Sequence, residues 1–242
     1  MSSLLQLNPE LDRESLAQEF ERKGRLQIRD VLTFESARQL RDILTERTPW
    51  SLAIQSGSSA PTKIIPSHEL AAMTPGQRRE LVKDIGVAGQ PDYAFAYEMY
   101  PLVTAYLERW RPGSLHERLL EDLNSAEMLT FMKDVSGMED IVKMDGQATL
   151  YGPGHFLWPH SDAESERGRR VAYVLNLTLG DWKAEWGGYL NFYDSDWDIE
   201  QAFRPRFNCL NLFRVPQWHD VSIVTAGAAL ARYAITGWAR NR

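Results

Sequence analysis

The sequence predicts a mainly β protein with helical support: helices come first, followed by a run of strands that suits an antiparallel jelly roll. Two observations carry this reading. Early in the chain, apolar residues recur at helix-compatible spacing between charged ones, as Leu40, Ile43 and Leu44 do within residues 34–46. Later, short runs rich in β-branched and aromatic residues, such as VAYVLNLTL at 171–179, alternate with turn residues at regular intervals. Local periodicity by itself supports only a mixture of helix and sheet.

Taken in order, residues 12–24 read as an opening helix, and Leu26, Ile28 and Val31 as a short strand with imperfect alternation. Residues 34–46 make an amphipathic support helix that Pro49 ends. Residues 55–66, rich in Ser, Gly and Pro, form a loop: either a plain surface connection or a segment beside a substrate site. Thr74 followed by Pro75, with Gln77 in the capping-box position, starts another helix that runs to Ile85. Residues 94–107 hold an aromatic ladder of Phe95, Tyr97, Tyr100 and Tyr106, for which core packing is the simplest account, and Pro101 interrupts any helix there. Residues 115–131 read as one helix with Leu119, Leu120, Leu123 and Met128 available for burial, and 127–139 add a further turn or helix. From residue 142 the pattern becomes strand-like: 143–151, the Gly152-Pro153-Gly154 turn, 171–179, 187–193, 208–215, 221–225 and 231–238. No repeat or long linker interrupts the chain. One domain is expected over 1–242, with a largely helical support over 1–141 and a jelly-roll core over 142–242.

Composition narrows the function. The 242 residues can bury a substantial core, and 43% hydrophobic with 25% charged residues is the balance of a soluble globular protein. With 27 Lys and Arg against 33 Asp and Glu, the net charge of −6 argues against a nucleic-acid partner. The single cysteine, Cys209, excludes an intrachain disulfide framework and fits a reducing compartment; its apolar surroundings read as those of a buried structural thiol. The chain shows neither a secretion signal nor an eighteen-residue apolar span, so a cytoplasmic protein without a membrane partner is expected. None of these features bears on oligomeric state.

The chemistry concentrates in residues 148–162, ATLYGPGHFLWPHSD. In an extended segment side chains alternate between faces, so His160 and Asp162 project to the same side, about 6 to 7 Å apart along the chain. With one distant histidine they form the two-His, one-carboxylate facial set that holds a non-haem iron and leaves positions open. The later chain supplies His219 and then Arg232, in ARYAITGW at 231–238.

These residues, with GGYLNFY at 187–193, resemble an iron(II) and 2-oxoglutarate dependent dioxygenase of the prolyl-4-hydroxylase-like superfamily, over roughly residues 148–238. The resemblance implies a double-stranded β-helix with helices outside it. It implies Fe(II) held by His160, Asp162 and His219, and 2-oxoglutarate as cosubstrate, with ascorbate as a further candidate. Arg232 matches the position that binds the distal carboxylate of 2-oxoglutarate. The family often places this basic residue closer to its distal histidine, so a longer turn is implied here. Tyr151 is a candidate for the same carboxylate, with a packed core tyrosine as the competing reading. Thr236 shares the face of Arg232 in a regular strand, and a hydroxyl bonded to backbone is its alternative. Tyr173, Asn176 and Trp238 are weaker pocket candidates. Zinc is the alternative metal, since it also accepts His and Asp.

The remaining chemistry-bearing residues read as structural. His155 is expected to face the core or substrate rather than the metal, and His68 and His116 lack a supporting constellation. Asp194, Asp196, Asp198 and Glu200 do not have EF-hand spacing and read as a solvated turn. Arg169 and Arg170 either meet an acidic substrate or flank a strand. The favoured function is hydroxylation of prolyl residues in a protein or peptide, with formation of succinate and carbon dioxide. A small-molecule or free-amino-acid hydroxylase is the alternative enzyme, and a metal-containing jelly-roll binding protein the alternative outside catalysis. Asp162 weighs against a halogenase, in which the carboxylate gives way to halide.

Overall fold

The computed structural model describes residues 3–85, 91–163 and 168–242. The chain opens with α1 (Arg13–Lys23), capped by the Asp12 side chain and ended by Gly24 at φ 68°. There follow β1 (Arg25–Arg29) and α2 (Phe34–Asp42), which continues as a π-helical turn at Ile43–Arg47. The stretch expected to be a loop is largely a hairpin, formed by β2 (Ser51–Ser56) and β3 (Lys63–Ile65). Next are α3 (Ser67–Ala71) and α4 (Pro75–Lys83); α4 carries the complete capping box of Thr74 and Gln77.

The aromatic ladder divides at Pro101 into β4 (Ala94–Tyr100) and α5 (Leu102–Leu107). β4 lies inside the sheet, with β2 along one edge and both β6 (Gln147–Tyr151) and β7 (Phe156–His160) along the other, so its aromatic alternation follows a pleat. The long helix expected from residue 115 is broken into α6 (Leu115–Leu123) and α7 (Ala126–Ser136). Ser125 caps α7, while the Asn124 amide both donates to and accepts from the backbone of Met144 in β5 (Lys143–Met144), drawing the chain out of helical geometry.

Beyond β7 come β8 (Arg169–Leu177), β9 (Leu190–Tyr193), β10 (Ile199–Phe203), β11 (Phe207–Arg214), β12 (His219–Val221) and β13 (Arg232–Arg240). β10 was not expected: its charged sequence reads as part of a turn, yet it pairs antiparallel with β9. The strands form one antiparallel sheet in the order β1-β11-β8-β13-β6-β4-β7-β12-β9-β10, rolled into a nearly closed barrel of jelly-roll type. The N-terminal 141 residues contribute helices and also the four strands β1 to β4.

Period-two burial on β8 explains its apolar run. Val171, Tyr173, Leu175 and Leu177 pack outward against the helices, with Phe131 and Met132 of α7 in the same cluster. Ala172 and Val174 point inward, meeting Leu190 and Phe192 of β9, Phe213 of β11 and Ala234 of β13. A strand covered on both faces has no solvent side to make polar. None of the helices among the described residues is long and apolar enough to cross a membrane.

Candidate metal centre and active site

β7 ends at His160, and β12 begins at His219; the two are direct cross-strand partners, with ring centroids 4.2 Å apart. Asp162 stands just past the strand in a left-handed conformation, φ 59°. That turn replaces the regular extended geometry expected from the sequence and folds the carboxylate back between the rings. Asp162 Oδ1 lies 3.9 Å from His160 Nε2, and Oδ2 lies 3.6 Å from His219 Nε2. One ligand atom from each of the three residues falls within 4.8 Å of the others.

The tautomers suit a metal. His160 Nδ1 is 2.9 Å from the Trp158 carbonyl and His219 Nδ1 is 2.8 Å from the Gln217 carbonyl. A carbonyl only accepts, so Nδ1 carries the proton in each ring and the Nε2 lone pair faces the centre. Burial and the neighbouring His160 hold His219 well below the usual histidine range, which keeps it neutral. Asp162 is held by two donors: the Trp238 indole at 2.9 Å from Oδ2 and Arg169 Nη1 at 3.3 Å from Oδ1. The Arg169 guanidinium stacks on the Trp238 ring at 3.6 Å.

On β13, Arg232 is the cross-strand partner of Tyr151, whose ring centroid is 5.2 Å from the guanidinium carbon. Arg232 is only 2% exposed, and its Nε and Nη1 have no hydrogen-bond partner. Burial lowers its pKa, yet a guanidinium remains charged in a protein interior. Arg232, Tyr151 and Thr236 line the same cavity of about 680 Å³ as His160, Asp162 and His219. A charged, unsatisfied fork beside a metal-ligand set fits an anionic ligand that also reaches the metal.

Residues 146–240 match the family model described as the 2OG-Fe(II) oxygenase superfamily. The matched segment carries His160, Asp162, His219 and Arg232. No curated protein matches the sequence. Among solved structures, this chain is similar in fold to a Pseudomonas putida prolyl-4-hydroxylase (TM-score 0.57, 18% identity, covering 95% of this chain and 99% of that one). It is likewise similar to a Burkholderia pseudomallei oxidoreductase of the 2OG-Fe(II) oxygenase family (0.59, 16%, 100% and 97%). A Trichoplax adhaerens prolyl hydroxylase, solved with a hypoxia inducible factor oxygen degradation domain peptide fragment, gives 0.58 at 15% identity over 95% and 89% of the two chains.

The remaining expected residues sort by contact. Trp238 holds Asp162; Tyr173 lines the cavity and donates to the Asp145 carbonyl at 2.8 Å, while Asn176, absent from the cavity wall, donates to the Val174 and Cys209 carbonyls. His155 is buried in the Gly152 turn, accepting from the Gly152 amide, and burial lowers its pKa to about 4. His116 meets Thr48, and His68 is exposed on α3. The Cys209 thiol is buried and pushed up to about 12. Asp194 accepts from the amides of Asp196 and Asp198, forming the expected turn, while Glu200 on β10 pairs with Arg25.

Gly187 and Gly188 have φ of 65° and 67°; a Cβ on Gly187 would lie 2.0 Å from the Ile223 carbonyl, so close backbone approach explains it. The longer turn between β12 and β13 is present, and Val224 within it bridges to Gly187. Tyr93 and Gln147 of the cavity wall were not singled out from the sequence, and Tyr97, expected to pack in the core, lines the cavity as well. Tyr97 stacks on Tyr151 at 5.1 Å, and Tyr93 meets the His160 ring edge-on at 6.1 Å. Their period-two spacing with Phe95 was the available signal.

Proposed function

We propose that this protein is an oxygenase that hydroxylates prolyl residues of a protein or peptide, converting 2-oxoglutarate and dioxygen to succinate and carbon dioxide as one oxygen atom enters the substrate. The observation that carries the cosubstrate assignment is Arg232: a buried guanidinium with unsatisfied donors, in one cavity with three converging metal ligands. Bound Fe(II) and 2-oxoglutarate supply the oxidative chemistry. The protein's part is positional. His160, Asp162 and His219 would hold the metal, with both imidazoles fixed by their Nδ1 bonds. Arg232 takes the distal carboxylate by charge-assisted hydrogen bonds, assisted by Tyr151 and Thr236.

The prolyl preference is supported by the fold shared with prolyl hydroxylases and by the aromatic walls Tyr93, Trp218 and Trp238 around the metal face. Those rings suit a saturated ring better than an extended polar metabolite. A reducing cytoplasmic setting suits the lone buried Cys209.

The test couples succinate formation to mass spectrometry over prolyl peptides and a metabolite panel, with and without ascorbate. A gain of one oxygen on proline, in step with succinate, is expected. Oxidation of a metabolite alone rejects the prolyl assignment and leaves the site intact. His160→Ala should abolish iron binding, measured by titration under anaerobic conditions; retention of iron would remove His160 from the ligand set.

A further inference from the structure

A second cavity, about 540 Å³, opens beside the first. Its floor is apolar, made by Leu120 of α6 and Met144 of β5; Val103 and Leu107 of α5 form its outer wall. Leu107 is 74% exposed, an apolar side chain left in water at the rim. Three residues line both cavities: Gln147 of β6, with Thr236 and Trp238 of β13. All three are only partly buried, so their side chains are accessible from the cavities they divide. Trp238 is the residue whose indole holds Asp162, which places this ridge beside the metal ligands. At the other cavity, Trp218 is also half exposed. The two cavities therefore adjoin as lobes across one wall of side chains, with an exposed apolar side chain at each, Trp218 and Leu107, and the metal face in the first.

From this geometry we infer that the second lobe is a subsite for an extended polypeptide, taking an apolar side chain that flanks the oxidised residue. This rests on the peptide reading above and extends it. A small metabolite fills the first lobe and gains nothing from the second. An extended chain rises about 3.3 Å per residue, so crossing one wall of side chains, on the order of 10 Å, takes about three residues. Of the three charged residues lining the second lobe, Asp145 and Arg240 pair with each other and Lys143 lies exposed, so the apolar floor is the main source of binding energy there. Apolar anchors in preformed pockets on either side of a reacting residue are how grooves hold extended peptides.

The experiment uses the full chain and two probes: the shortest prolyl peptide that turns over, and the same peptide extended on both sides with apolar residues. Binding is read by fluorescence anisotropy with and without iron, and turnover by coupled succinate formation. Leu107→Asp and Leu107→Lys change an exposed position outside the metal and cosubstrate machinery, and both should leave the melting temperature of the protein close to wild type. Each should weaken the extended peptide at least tenfold and raise its KM to match, with kcat, the short peptide and the KM for 2-oxoglutarate unchanged. Equal affinity of both variants for the extended peptide, while proline is still oxidised, overturns the second-lobe subsite and leaves the prolyl function standing. Oxidation of a metabolite with no peptide turned over overturns both.

Discussion

A guanidinium kept in a protein interior without a carboxylate partner costs several kcal/mol of desolvation. Arg232 is in that position, with two nitrogens lacking partners, and its cost is offset only when an anion arrives. Arg232→Met should therefore leave the protein without added ligand as stable as wild type or more stable, by about 1 kcal/mol, because a well-packed apolar side chain replaces an uncompensated charge. Wild type should gain about 2.7 kcal/mol at a 2-oxoglutarate concentration one hundred times Kd, and the variant should gain nothing. Thermal melts with and without 2-oxoglutarate, at fixed metal, read both quantities. A ligand-induced shift that survives in Arg232→Met would remove this residue from cosubstrate binding. Asp162 teaches a related lesson at the same scale: its spacing from His160 is a sequence property, but the left-handed turn that brings its carboxylate between the rings is not.

Among the elements, those set by local chemistry follow the sequence closely. α4 begins where Thr74, Pro75 and Gln77 place it, and α1 ends at Gly24. Elements set by distant partners do not: the 115–136 region breaks because Asn124 bonds to β5, and the short 199–203 segment, which follows an acidic turn, becomes β10 because β9 offers it an edge. The start of β9 belongs to both kinds. The glycine pair marks a backbone constraint, and the Ile223 carbonyl across from it supplies the reason. Gly187→Ala combines that clash with a positive φ, and should destabilise the protein by roughly 3 kcal/mol or more. Urea unfolding monitored by tryptophan fluorescence checks it; a loss below about 1 kcal/mol would mean that the β12–β13 turn can move aside.

For the molecule as a whole, pH dependence follows from buried histidines. Burial lowers His116 and His155 to about 4, against about 6.5 in the unfolded chain. Both are neutral in the folded state while the unfolded state takes up protons, so stability is complete above about pH 6.5 and falls as pH drops toward 4. Burial raises Glu98 and Asp145, which bind protons more readily in the folded state and oppose this loss at the acid end. Between pH 7.5 and 5 the net loss should be roughly 2 to 4 kcal/mol. His116→Gln, which can still bond to Thr48, should shrink that loss and leave the shares of His155 and of His219, which burial also depresses. Equal pH slopes for wild type and variant in urea titrations would contradict the assignment to His116.

The sequence by itself determined the order of helices before strands and most strand positions, which depend on residue type and short-range period; His160, Asp162, His219 and Arg232 stood out through the ordered motif that carries the family resemblance, and the fold brings them to one cavity. Only the tertiary structure decided that β4 carries Tyr97 against Tyr151, that Trp238 and Arg169 grip Asp162, and that two cavities share the wall of Gln147, Thr236 and Trp238. Each of these joins residues far apart in the chain across a rolled sheet, and the pairing of strands that brings them together is a global solution to burial rather than a property of any one segment.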